Sequence, residues 1–198
     1  MKKYMIPFIL LLCIQCKNAT TLSEEERNFA TTELDRSKDN LLQSIKGLSS
    51  AQLYFKPDEV SWSIAECVEH LTLFSTELFE ILEESLELPA NPERRKDVKF
   101  SDKDLMIYVR DRSKKATTEE DFEPKNTDGN HTATLTTYLD NLEKHINYLK
   151  STQDDLRNHY VNFGTVDAYQ IFLYMAAHTN RHIEQIEEIK NTTNFPKN

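Results

Sequence analysis

A chain of 198 residues, 38% hydrophobic and 29% charged, has the length of one domain and can bury a real core. Three glycines and six prolines are too few for the turns of an all-β protein, which leaves the all-α class. A formal net charge of −9 excludes the basic footprint of a nucleic-acid binder and otherwise speaks only to solubility.

Residues 1–16 read as a targeting segment set apart from the fold. Lys2 and Lys3 supply positive charge, and Met5 to Ile14 is an apolar run too short for a permanent membrane span. Cys13 and Cys16 lie at its end, followed by the polar Lys17 and Asn18. This pattern resembles a bacterial lipoprotein signal, which implies that a cysteine becomes the lipidated first residue. Cys16 is the expected lipidation site. Gln15 stands where a small residue is usual, so Cys13 is the rival, and an ordinary secretory signal is the alternative to both. The expectation is an exported protein of the cell envelope, periplasmic or surface-facing, that meets the membrane through its lipid anchor only. Cleavage before Cys16 would leave Cys67 as the one unblocked thiol, so no internal disulfide is expected. Residues 17–22 read as a tether and 23–193 as the folded domain.

The domain opens with Ser23-Glu-Glu-Glu26, a capping box whose three acids suit a helix N-terminus. Phe29, Leu34, Leu41, Ile45 and Leu48 repeat at near-helical spacing, and this first helix is predicted to end near Gly47. A loop containing Pro57 follows over 49–61. Ser63 and Glu66 make a second capping box, with Trp62 placed to staple the helix entry against Cys67. Ile64, Cys67, Val68, Leu71, Phe74, Leu78, Ile81 and Leu82 mark the buried stripe of a second helix that runs to about Leu88, where Pro89 and Pro92 stop it. His70 falls at the edge of that stripe, a position that can point into a crevice between helices.

Residues 89–130 read as a long crossover containing a short helix, capped by Ser101 and running through Leu105, Tyr108 and Val109. A connection of this length means that the helices on either side need not be antiparallel neighbours. A third helix is predicted from about Thr132 to Gln153, then a turn over 157–164, then a fourth helix capped by Thr165 and running to about Asn191. On that last helix Ile171, Met175, His178, His182, Ile186 and Ile189 fall within roughly 80° of one another on a wheel of ~100° per residue. Both histidines are therefore predicted to lie inside the apolar face.

Residues four apart on a helix stack on one face, so His178 and His182 can chelate one transition-metal ion if a third ligand arrives from elsewhere. Six histidines in this length give about 0.2 such pairs by chance on a bare count of matches. The pair alone is thus a mild signal, and core histidines bonded to Tyr, Glu or backbone carbonyls are the plain alternative. Gln185, one turn after His182, is placed either to orient a ligand or simply to pack. Glu77, seven residues after His70, is a candidate acceptor for it, although a solvated glutamate is the commoner outcome. Arg181 lies about 60° from His178 on the wheel; it could bind an anionic substrate, but a surface role is the stronger expectation. His131, His145 and His159 read as ordinary polar positions, and Cys67 as a small apolar core residue. The chain has no Gly-rich phosphate loop, no notable Ser-His-Asp order and no di-iron Glu-x-x-His pair, so no catalytic residue is assigned.

Four features stand in a fixed order: Trp62-Ser-Ile-Ala-Glu66-Cys-Val-Glu-His70-Leu71, a long connection with Phe122-Glu-Pro124, the Gly164-Thr165 helix entry, and His178-Thr-Asn-Arg-His182-Ile-Glu-Gln185-Ile. Together they resemble the DinB-like superfamily of bacterial proteins over roughly residues 23–190. The resemblance implies a four-helix bundle with a long crossover between helices 2 and 3. It also implies that His70, His178 and His182 bind a divalent metal, typically zinc or nickel, leaving coordination positions open as catalytic sites do. Relatives include thiol transferases and a maleylpyruvate isomerase, and members often dimerise through helices, so a homodimer is an expected assembly. The expected function is a metal-dependent hydrolase or thiol transferase acting on a small molecule. Export favours hydrolysis, because low-molecular-weight thiols are mainly cytoplasmic. The alternatives are a non-catalytic metal- or partner-binding envelope lipoprotein and a purely structural bundle.

Overall fold

The first capping box forms as its residues dictate. In the computed structural model, which describes residues 21–113, 118–125, 130–161 and 165–197, the Ser23 hydroxyl accepts from the Glu26 amide at 3.2 Å. The Glu26 carboxylate accepts from the Ser23 amide at 2.8 Å in return. This opens α1 (Glu24–Ile45), which buries Leu34, Leu41 and Ile45. Gly47 follows with φ +74°, a left-handed turn that glycine adopts at no steric cost. The segment expected to be loop contains one further helical turn, α2 (Ser50–Leu53), because Ser49 and Gln52 make a capping box of their own. The targeting segment with Cys13 and Cys16, most of the tether, and Gly164 lie outside the described residues.

Helix α3 (Ile64–Glu87) starts at the Ser63–Glu66 box, and Glu66 also pairs with Lys56 at 3.0 Å. In the crossover, Ser101 caps α4 (Asp102–Arg110), whose Leu105 and Val109 are buried while Tyr108 is exposed. Two 3₁₀ turns flank α4, Pro92–Asp97 before it and Glu120–Phe122 after it. Helix α5 (His131–Ser151) is capped by Asn130. The entry to α6 (Ala168–Lys190) corrects the sequence expectation: its N-cap is Asp167, not Thr165. Asp167 accepts from the Gln170 amide at 2.8 Å, so an Asp-x-x-Gln box does the work sought in a threonine. Thr165 instead takes φ +55° and turns the chain between two short strands, β1 (Tyr160–Val161) and β2 (Val166–Asp167). They pair antiparallel, Tyr160 opposite Asp167 and Val161 opposite Val166.

Cross-helix contacts give the direction of each helix. Thr72 meets Thr134, Thr76 meets Asn141, and Phe79 meets His145, so α3 and α5 run parallel. Tyr169 bonds the Glu26 carbonyl and Lys190 the Ser44 carbonyl, so α1 and α6 also run parallel. His70 faces His182 whereas Phe79 faces Phe172, which makes α3 antiparallel to α6. The order along the chain is up, down, down, up. Two parallel neighbours of 21 and 24 residues need a return path of some ~30 Å, and the crossover provides it. Its return leg is α4, which lies along α6 from Asp102 at Gln170 to Arg110 at Glu184. Tyr138, Phe172, Leu34, Leu78 and Leu149 form the centre of the core between the four long helices. Among the described residues no helix is long and apolar enough to cross a membrane.

Candidate metal centre

His70 stands two turns into α3, and His178 and His182 stand on the facing stretch of the antiparallel α6. That pairing brings the three imidazoles together as expected. Nε2 of His178 lies 3.1 Å from Nε2 of His70 and 2.8 Å from Nε2 of His182. His70 and His182 are buried and His178 is half-buried. The second nitrogens of two rings are engaged from outside. His70 Nδ1–H donates to the Phe122 carbonyl at 2.8 Å, and His182 Nδ1–H donates to Gln185 Oε1 at 2.9 Å. These bonds fix the tautomer, so both Nε2 atoms present bare lone pairs toward His178.

Two lone pairs aimed at one ring nitrogen are poorly served by protons: a hydrogen on His178 Nε2 can point well at one of them. A cation serves all three. Imidazole nitrogens that lie ~2.0–2.1 Å from zinc stand roughly 3 Å apart, which matches the spacing here. The group could hold a metal ion. Burial depresses the basicity of all three rings; the neighbouring His178 and His70 add to the effect on His182, and His178 is lowered to about 3. At neutral pH the imidazoles are therefore uncharged, the form that ligates a metal.

Aromatic rings hold the cluster in place. Phe74 stacks on His178 at 4.3 Å between centroids, and Trp62 lies 4.9 Å from His70 and 6.0 Å from His182. Trp62, expected only to staple the helix entry, is thus a wall of the site. Phe122 meets Phe74 edge-on at 5.2 Å, which pins the carbonyl that receives His70. The imidazoles open onto a cavity of about 630 Å³ lined also by Tyr174, Arg112, Arg181, Gln185 and Glu188.

Other candidates fall where their chemistry puts them. Gln185 orients His182, as one of its two readings held. Glu77 is exposed and does not line the cavity. Cys67 is fully buried, and burial pushes its thiol well up, so it is a core residue. His159 Nδ1–H donates to the Ser85 carbonyl at 2.8 Å. His145 departs from expectation: it is buried, stacked on Phe79 at 4.4 Å, and lowered to about 4 by burial. Arg181 is half-buried and lines the cavity instead of facing solvent. The Phe122 carbonyl was not assigned a role from the sequence, because a backbone acceptor leaves no mark in side-chain identity.

No curated protein and no solved structure matches the chain. A sequence profile of the DinB superfamily matches residues 33–186, which takes in α1 from its third turn, the whole crossover and all three histidines. With the up-down-down-up bundle and the three converging imidazoles, that match over most of the chain means that this protein belongs to the DinB superfamily.

Proposed function

We propose that His70, His178 and His182 bind one divalent metal ion, zinc or nickel, and that the protein is a metal-dependent enzyme, a hydrolase before a thiol transferase, acting on a small molecule in the adjoining cavity. The observation that carries this reading is the meeting of three Nε2 atoms at 2.8 and 3.1 Å with two of the outer nitrogens already committed. Held by three neutral ligands with positions left open, such an ion supplies Lewis-acid chemistry, polarising an electrophile and acidifying a protic nucleophile. The chain's own residues do the rest. Phe122 and Gln185 hold the imidazole orientations, which keeps the ligand set preorganised. Trp62, Phe74 and Phe122 exclude water from one side of the site. The leader supports an exported, lipid-anchored protein with Cys16 as the modified residue, and outside the cytoplasm hydrolysis needs no cofactor but water. Mass spectrometry of the mature N-terminus would show a lipidated Cys16, and a Cys16→Ala variant that is still lipidated would move the assignment to Cys13.

One observation favours the non-catalytic alternative, an envelope protein that binds metal or a partner without turnover. Among the described residues the carboxylates lining the cavity are Glu119 and Glu188; Glu119 is exposed, and Glu188 is held by Arg112 at 2.6 Å. Elemental analysis of natively purified protein tests the shared premise. One zinc or nickel per chain is expected, and a His178→Ala variant should carry none. A metal-free wild type that takes up neither ion on addition would leave only the structural bundle.

A further inference from the structure

Resting on the metal-binding reading above, we propose that the side-chain amide of Gln185 and the indole N–H of Trp62 form a two-donor site for a carbonyl oxygen, so that the cavity takes acyl compounds, small esters or amides. Gln185 stands three residues after His182 on α6, and its Oε1 accepts the His182 Nδ1–H at 2.9 Å. That bond fixes which end of the amide is which, because a ring nitrogen that carries the proton can face only the oxygen. The Nε2 end is turned the other way with two N–H groups, and among the described residues neither has an acceptor. Trp62, just before the N-cap of α3, is held against the same cluster. Its ring lies 4.9 Å from His70, and it stands 6.0 Å from His182 at 17° from parallel. An indole N–H can only donate, and it ordinarily finds a partner when it is covered. That of Trp62 has none among the described residues and is not sealed in the core.

Both side chains line the cavity onto which the imidazoles open. Each is tied to His182, one by a hydrogen bond and the other by its ring, so two donors keep fixed places around one imidazole of the metal site. Both are uncharged. A neutral donor pair asks for an acceptor atom, not for a countercharge, and the oxygen of a carbonyl group is such an atom. In ester or amide hydrolysis the water oxygen bonds to the carbonyl carbon, the bond to the alcohol or amine breaks, and one water proton leaves with that group. Negative charge collects on the carbonyl oxygen on the way, and N–H donors already in place stabilise it without reorganising. The aromatic walls strengthen those bonds by keeping competing water away. Gln185 thus serves two groups at once, the imidazole through its oxygen and the substrate through its nitrogen.

The test is calorimetric titration of the zinc-loaded protein with mercaptoacetamide and isobutanethiol, two thiols of similar shape of which only the first carries a carbonyl. Both reach zinc as thiolates, so the ratio of their affinities cancels any charge that a variant adds. Gln185→Glu keeps an oxygen for His182 and removes the N–H donors, and Trp62→Phe keeps a ring and removes its donor. Each should retain one zinc per chain and lower the preference for mercaptoacetamide about fivefold or more. Trp62 is the only tryptophan, so the wild type has a single indole N–H resonance. Mercaptoacetamide should move it downfield and isobutanethiol should not, a readout that holds even if a variant loses its zinc. An unchanged preference in either zinc-loaded variant, or an indole resonance that the two thiols move alike, would overturn the donor site and leave the metal site standing. A wild type that takes up no zinc would overturn the metal reading and this inference with it.

Discussion

An imidazole buried on a helix face needs partners for two nitrogens, and this requirement organises the chemistry of the protein at the scale of single residues. His182 satisfies its outer nitrogen with Gln185. Gln185→Leu should therefore weaken zinc binding about 10–100-fold while leaving the helix content unchanged, as read by competition with a chromogenic chelator. His145 is the contrasting case, since its Nδ1 has no hydrogen-bond partner among the described residues. Burial holds its pKa near 4, below the ordinary 6.5 of an unfolded chain. The unfolded state thus takes up a proton first as pH falls, so stability is present above pH 6.5 and is lost progressively between pH 6.5 and 4. Between pH 7 and 5 the wild type should lose about 2 kcal/mol more than a His145→Leu variant. Urea unfolding at the two pH values measures the difference, and parallel losses in both proteins would refute it.

At the scale of elements, helix entries are set by short capping signals, and one of these also joins the bundle together. Ser63 is buried and caps α3, the helix that carries His70, so Ser63→Ala should cost about 1 kcal/mol. Asp167 caps α6 from a fully buried position, where burial raises its pKa and Arg157 opposes the rise. Arg157 reaches Asp167 at 3.0 Å, Asp102 at the start of α4 at 2.6 Å, and Glu26 in the first turn of α1 at 2.8 Å. Its guanidinium also lies 4.0 Å over the Tyr169 ring, and Arg95 contacts the same Asp167. Arg157→Met would leave a carboxylate buried without this partner and should destabilise the fold by about 3 kcal/mol in urea. Adding Asp167→Asn, which keeps a capping oxygen but removes the charge, should recover part of that loss.

At the scale of the molecule, the up-down-down-up order places α3 antiparallel to α6, and the one imidazole of α3 then meets the two that stand a turn apart on α6. A metal bound there links α3, α6 and, through the Phe122 carbonyl, the crossover. Because such an ion binds the folded state and finds no assembled site in the unfolded chain, zinc at 100 times its Kd should stabilise by about 2.7 kcal/mol. For a chain of this size that is roughly 5–10 °C in Tm. Differential scanning calorimetry with and without chelator reads the shift, and His178→Ala should show none.

What the sequence determined by itself is local and periodic. Ser23–Glu26 and Ser63–Glu66 announced two helix entries, the three-four spacing marked four long helices, and the four-residue interval put His178 and His182 on one face, because each of these depends on residues within one or two turns. The family resemblance added His70 as their partner. What only the tertiary structure decided is which groups face one another across the bundle. The parallel course of α3 and α5, the Phe122 carbonyl behind His70, the turn of Arg181 toward the cavity and the three-way grip of Arg157 all join residues far apart in the chain. The cap at Asp167 was missed for a nearer reason, since Thr165 offered the more familiar signal and its left-handed turn is set by the strand pairing around it. Side-chain type records what a residue can bond to, whereas the partner it meets is settled by the packing of helices over distances that no local pattern encodes.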